Sequence, residues 1–255
     1  MRVIVTRPAS DAPAWVAALQ QAGHDALSLP LIDIQPTRHA DAVAQAWTRW
    51  PRYAAVMFVS AQAVRFFFQN RAADVAGPRC WATGPGTRQA LIDAGVAEAR
   101  IDSPPIDAAQ FDSEALWRVV HTQVSTGQRV LVVRGSDASA ISQDGSGRDW
   151  LAQQLSEAGA QVDWVSAYER TVPTWTAAQT ACAQAAAIDG SVWVFSSSQA
   201  IGHLQQLLPA QHWGQTCCVA THARIAQSAQ DAGFGQVLST KPRVADVLAC
   251  LESLA

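Results

Sequence analysis

Short apolar runs rich in β-branched residues alternate along this chain with longer segments in which apolar positions return every three or four residues. The runs at residues 3–6, 55–59, 129–133 and 192–195 are continuous and bounded by polar or turn-forming residues, so they predict strands buried on both faces. Weaker strand patterns lie at 26–29, 79–82, 162–165, 218–220 and 236–238. Helical periodicity predicts helices over 12–22, 62–70, 87–94, 113–124, 149–158, 199–208, 224–232 and 244–254. Strands and helices taking turns in this way are the signature of parallel sheets covered by helices.

The pattern then repeats. FVSAQAV at 58–64 matches FSSSQAI at 195–201, and CWATGPGTRQALIDAGV at 80–96 aligns without a gap to CVATHARIAQSAQDAGF at 218–234. RVIVTR at 2–7 echoes RVLVVR at 129–134, each followed by a helix that ends in Ala-Gly, at Gly23 and Gly159. Two copies of one α/β unit therefore fill the chain. Each copy reads as doubly wound, an architecture whose ligands sit at the carboxyl ends of strands, where the next helices start. Because the matched segments include these strand-to-helix loops, we expect a ligand cleft between the copies. Pro-containing stretches at 29–37 and 168–174 read as connections, and the polar Gly/Ser-rich stretch at 136–147 as a surface loop.

Composition narrows the partners. A formal net charge of -3 over 255 residues gives no global positive field for nucleic acid or membrane. No apolar run reaches the ~18 residues of a spanning helix, and the first residues lack an export pattern. Five cysteines without a C-x-x-C pair argue against a disulfide framework or zinc site, so a reducing cytoplasm is expected. The ten tryptophans fall in apolar segments and read as packing rather than as a base-stacking surface. Nothing in the pattern signals an interface, and a monomer is expected.

The candidate chemistry lies in the duplicated loops. GPGTRQ at 84–89 follows a strand and opens a helix, where uncovered N–H groups and the helix dipole favour an anion. Gln89 stands where a dinucleotide fingerprint needs its third glycine, and no phosphate-loop motif occurs, so a flavin or nucleotide protein is disfavoured. Gly84 and Gly86 also suit a tight turn with no ligand at all. Ser60, Ala61 and Gln62 in one copy, and Ser196, Ser197 and Ser198 in the other, offer hydroxyls and N–H groups at helix starts. Helix capping alone accounts equally for these serines. With Thr83 and Thr87, and with Thr221, His222 and Arg224, four such N-termini would ring the cleft, suiting a ligand with many carboxylates. Arg7, Arg134, Arg148 and Lys241 would add positive charge, although arginines at strand ends serve as often in ion pairs. No nucleophile elbow and no metal-ligand spacing among the six histidines is present, so neither covalent nor metal catalysis is expected, and no cofactor. His222 is a minor candidate for titrating against substrate, set against ordinary local bonding.

VIVTRP at 3–8, LPLIDIQP at 29–36, FVSAQAV at 58–64, ATGPGT at 82–87, VVRG at 132–135, GRDWL at 147–151, the Tyr168 segment, VFSSSQAI at 194–201 and HARIAQ at 222–227 together resemble the uroporphyrinogen-III synthase family, over essentially the whole length. The resemblance implies two similar doubly wound, flavodoxin-like parallel-sheet domains, one inserted into the other across a two-stranded linker, with the active site in the cleft. Residues 1–36 would join 172–255, residues 37–166 would form the inserted domain, and linkers near 30–37 and 166–173 would act as hinges.

Chemically, the resemblance implies cyclisation of hydroxymethylbilane to uroporphyrinogen III with ring D inverted and water lost, in heme biosynthesis, with a possible hand-off from hydroxymethylbilane synthase. By its position in the linker, Tyr168 resembles the family tyrosine thought to assist departure of the hydroxyl. His222, where a glycine-rich turn is expected, and the long 136–146 stretch depart from the family pattern. The rival reading is a non-catalytic bilobal small-molecule sensor of the same fold, from which Tyr168 and the Ser/Thr loops distinguish an enzyme.

Overall fold

The computed structural model describes residues 1–69, 77–108, 110–137 and 149–254. In chain order its elements are β1 (Arg2–Val5), α1 (Ala12–Gln21), β2 (Asp25–Ser28), β3 (Asp33–Pro36), α2 (Ala40–Thr48), β4 (Ala55–Phe58), α3 (Ala61–Phe68), β5 (Arg79–Ala82), α4 (Pro85–Asp93), β6 (Ile101–Asp102) and α5 (Ser113–Val120). There follow β7 (Arg129–Asp137), α6 (Asp149–Glu157), β8 (Gln161–Thr171), α7 (Ala177–Ala186), β9 (Val192–Phe195), α8 (Ser198–Leu207), β10 (Cys217–Ala220), α9 (Ala223–Asp231), β11 (Gln236–Ser239) and α10 (Val244–Glu252). The chain forms two compact units, Met1–Ile34 with Thr171–Ala255, and Gln35–Arg170.

In the first unit the strand order is β11-β10-β9-β1-β2, and every neighbouring pair is parallel. Numbered along the unit's own chain this is 2-1-3-4-5, the doubly wound order of flavodoxin-like folds. In the second the order is β3-β8-β7-β4-β5-β6, with β8, β7, β4, β5 and β6 parallel in turn. Starting the count at β7 gives the same order, with β3 added at the β8 edge. The duplicated segments are thus exchanged. β1 of the first copy pairs β9 of the second, Val3 opposite Val192, while β7 of the second pairs β4 of the first, Val130 opposite Ala55.

Both faces of the first sheet are buried, which explains its unbroken apolar strands. Ile4, Trp193, Phe195 and Ala220 lie in one layer, and Val3, Val5, Val192, Val194 and Val219 in the other. In the second unit Ala55, Met57, Trp81, Val130 and Val132 pack under Leu116 of α5 and Leu151 and Leu155 of α6. Each fully buried Leu, Val or Phe contributes about 2 kcal/mol.

Four helices end alike. Gly23, Gly95, Gly159 and Gly233 have φ of 87°, 85°, 82° and 88°. The residue after each donates its N–H back to the last turn, as from His24 to Leu19 and from Ala160 to Leu155. This closing turn needs a left-handed residue, which glycine supplies without a Cβ clash.

Several elements differ from the sequence pattern. The 29–37 stretch, a connection by its own residues and one strand of the linker by the family resemblance, contains β3, and β8 runs to Thr171 through the other linker stretch. Ser136 and Asp137, expected in a loop, extend β7, where Asp137 accepts a hydrogen bond from Arg170 at 2.8 Å. Residues 138–147 of the expected loop lie outside the described residues. Pairing decides these cases, because strand partners satisfy backbone groups that the local sequence leaves open. The alanine-rich α7 has no strong apolar stripe, and its start is fixed by a capping box between Thr176 and Gln179.

Candidate functional site

In the unit of residues 35–170, the carboxyl ends of β4, β5, β7 and β8 bring several of the expected residues into view. Ser60 follows β4 and is the N-cap of α3, its Oγ accepting the Ala63 N–H at 3.1 Å. The same oxygen lies 3.2 Å from the Tyr168 hydroxyl. Ala61 and Gln62 form the first turn of α3, both half-buried.

Tyr168 is held from three directions. It is 4% exposed, and its ring stacks on Phe66 with centroids 5.8 Å apart and planes at 28°. Gly135 pairs with it across β7 and β8, directly after a register shift between Arg134 and Gly135. A Cβ at Gly135 would stand 2.3 Å from the Tyr168 Cζ, so only glycine leaves room for the ring. Phe66 and Phe67, with Trp47, Thr37, Gln69 and Ala167, line a pocket of about 340 Å³ in this unit.

Two groups beside Tyr168 escaped the sequence reading. Glu169, 6% exposed, accepts hydrogen bonds from the Arg38 backbone N–H at 3.0 Å and from its Nε at 2.9 Å. The backbone donor first, then the guanidinium's hydrogen bond and charge, hold this carboxyl below its ordinary pKa. Phe66 was seen only as a helix position. The YERT segment reads as linker, so nothing local marks either role.

Further along the same sheet edge, Thr83 Oγ1 donates to the Val59 carbonyl at 3.3 Å, and Thr87 is buried in the first turn of α4. Gly84 is the extended N-cap of α4; a Cβ there would meet the Phe111 Cβ at 3.1 Å. Among the described residues nothing lies within 4 Å of where a Cβ at Gly86 would stand, so none of them covers the first turn of α4 on that side. Arg134 is buried with its guanidinium 4.4 Å from the centre of the Trp164 ring. Arg148 lies outside the described residues.

The unit containing both termini repeats the arrangement. Ser197 caps α8, its Oγ accepting the Gln199 N–H at 3.2 Å, with Ser196 half-buried beside it. The Ser198 Oγ is buried without a hydrogen-bond partner among the described residues. Thr221 is buried at the end of β10, and His222 caps α9 by accepting the Arg224 N–H on Nδ1 at 3.1 Å. His222 thus occupies the extended N-cap position held by Gly84 in the other copy, with its ring taking the N–H of the second helical residue. Arg224 and Lys241 are exposed.

Arg7 follows β1, its guanidinium 4.4 Å from the centre of the Trp15 ring and its Nε buried without a hydrogen-bond partner among the described residues. Burial lowers its pKa from the ordinary arginine value, although it stays a cation at any physiological pH. His203 was not foreseen: buried, it bonds the Leu31 carbonyl through Nδ1 at 2.6 Å. No helix among the described residues is long and apolar enough to cross a membrane.

Both units offer helix starts capped by side chains and an arginine packed on an indole, and α4 adds a first turn open beside Gly86. The helix-start amides carry partial positive charge without titrating, which suits carboxylates more than metals or nucleophilic chemistry.

Comparison with known proteins gives a consistent result. The chain is 26% identical over 245 residues to the uroporphyrinogen-III synthase of Salmonella typhimurium, covering 93% of this chain and 94% of that one. It is 25% identical over 245 residues to the enzyme of the same name from Escherichia coli K12, with the same coverage. Among solved structures, the uroporphyrinogen-III synthetase of Helicobacter pylori superimposes with a TM-score of 0.62 at 15% identity, covering 100% of both chains. A mutant uroporphyrinogen III synthase of Thermus thermophilus gives 0.55 at 14% identity, covering 100% of this chain and 97% of that one. These likenesses show the two-domain α/β fold. The family profile described as uroporphyrinogen-III synthase HemD matches residues 13–249, and by that match the chain belongs to the uroporphyrinogen-III synthase family.

Proposed function

We propose that this protein is a cyclising lyase that converts hydroxymethylbilane to uroporphyrinogen III in heme biosynthesis. The observation that carries the reading is the family match over residues 13–249. In the reaction, the C–O bond of the terminal hydroxymethyl group breaks with its electron pair on oxygen. The ring A nitrogen supplies electrons to the vacated carbon, and loss of the N–H proton leaves an azafulvene and water. The substituted α-carbon of ring D attacks to give a spiro intermediate, which fragments and rejoins with ring D reversed. A final proton loss restores the aromatic pyrrole.

Because unassisted closure gives the uninverted isomer, the protein's task is to bind the folded chain in the pose that leads to the spiro route. The amides at the start of α3, with the amides and hydroxyls at the starts of α4, α8 and α9, are the groups we assign to the acetates and propionates, with Arg7 and Arg134 as nearby cations. They bind a polyanion despite the net charge of -3 because the donors are local. Tyr168 is the group we assign to the departing hydroxyl, as a hydrogen-bond donor. Its immobilisation by Phe66, Gly135 and Ser60 supports that role, since a fixed donor acts without reorganising. Direct hand-off from hydroxymethylbilane synthase belongs to the same reading, because the substrate cyclises unaided. So does a cytoplasmic location, supported by the odd number of cysteines without paired spacing.

A coupled assay that generates hydroxymethylbilane in place and resolves the product isomers tests this. Uroporphyrinogen III should dominate, formed faster than spontaneous closure; the uninverted isomer at the spontaneous rate would refute the proposal.

A further inference from the structure

The Ser60 hydroxyl stands between two possible tasks, and its surroundings favour one. Its oxygen already accepts the Ala63 N–H, so the side chain is pinned in its N-cap rotamer at the start of α3. At 3.2 Å from the Tyr168 oxygen, it is a close polar neighbour of a phenol that is otherwise enclosed by Phe66 and Gly135. A serine has one proton to give. Spent on a substrate carboxylate, that proton is lost to Tyr168; spent on the phenol oxygen, it leaves the tyrosine's own proton free to point elsewhere.

We propose that Ser60 is a positioning residue for Tyr168 rather than a carboxylate ligand: it donates to the phenol oxygen, aims the phenol proton at the departing hydroxyl, and stabilises the charge that grows on the phenol oxygen as that hydrogen bond tightens. The contact joins the helix start to the tyrosine, so α3 lends its positive end to the same oxygen through the capped serine. The inference rests on the assignment of Tyr168 proposed above and adds the group through which that residue is tuned.

The test separates capping from positioning. Ser60→Thr keeps cap and hydroxyl, Ser60→Asn keeps the cap without the hydroxyl, and Ser60→Ala keeps neither. Threonine should retain most of the wild-type kcat. Asparagine and alanine should each lower kcat roughly 5- to 20-fold with KM within about twofold, since one transition-state hydrogen bond is lost and ground-state binding is not. In a Tyr168→Phe background, Ser60→Ala should lower kcat no further. The protein contains two tyrosines, Tyr53 and Tyr168, so tyrosine labelled with ¹³C at Cζ gives two resonances, assigned by Tyr53→Phe. The Tyr168 resonance should move in Ser60→Ala and Ser60→Asn but not in Ser60→Thr, with Tyr53 unmoved.

A rise in KM at unchanged kcat would make Ser60 a substrate ligand and overturn the proposal alone. Additive losses in the double variant, or an unmoved Tyr168 resonance, would do the same. Full turnover by Tyr168→Phe removes the tyrosine assignment and this inference with it, and a wild-type protein without control of the isomer removes the functional reading as a whole.

Discussion

At the scale of the residue, Tyr168 is defined by what surrounds it. Tyr168→Phe should lower kcat roughly 10- to 100-fold, about 1.4–2.7 kcal/mol of transition-state stabilisation, with the melting temperature little changed. Steady-state kinetics beside thermal unfolding checks both halves of that statement. Gly135→Ala should do the opposite kind of harm. Its Cβ would stand 2.3 Å from Cζ, the ring must leave its place, and overpacking of this sort costs about 1–3 kcal/mol in stability along with turnover. Glu169 gives a pH test. Its carboxyl is held below the ordinary range by Arg38, so its contribution to stability is complete above the unfolded value of ~4.3 and disappears as pH falls through the lower folded value. Glu169→Gln should therefore flatten that part of the acid-side decline in stability, as followed by urea unfolding at several pH values. Ser60 and Tyr168 were each legible in the sequence, one from a repeated loop and the other from a family segment. Their contact was not, since it joins residues 108 apart through a register shift no local pattern encodes.

Elements show the same division between local code and imposed partner. The four glycine-ended helices were visible as Ala-Gly at repeated positions, because only glycine enters the left-handed region cheaply. They are not equally tolerant. At Gly23 an added Cβ meets nothing within 4 Å among the described residues, so Gly23→Ala should cost about 1 kcal/mol of backbone strain. At Gly159 the Cβ would come within 2.8 Å of the Thr126 Oγ1 as well, and Gly159→Ala should be the more destabilising of the two in a side-by-side denaturant titration. The long apolar strands were equally plain, their continuous burial following from helices on both faces. β6 and the last residues of β7 were not, and β3 and the end of β8 were marked only by the resemblance to a family with a two-stranded linker. They are short or polar, and they are strands because a neighbour supplies hydrogen bonds, which the chain's own composition does not announce.

For the whole molecule, the exchange of strands between the two copies has a mechanical consequence. β1 sits between β9 and β2, and β7 between β8 and β4, so each sheet contains an interior strand supplied by the other copy. Cutting the chain at the sequence repeat, into 1–128 and 129–255, should give two fragments that are each unfolded alone by circular dichroism, because each lacks central strands. The fragment 35–170 should fold by itself with cooperative thermal unfolding, since β8, β7, β4, β5 and β6 remain contiguous within it. The sequence by itself settled the class of fold, the duplication, the loops that bear hydroxyls and amides, and the family. All of these are written in local periodicity, turn chemistry and motif order, which a linear reading detects. Tertiary structure alone decided the register in which the strands pair, where the short polar strands end, and that Ser60 meets Tyr168. Those outcomes depend on hydrogen-bond partners and packing neighbours distant in the chain, and no local run of residues specifies them.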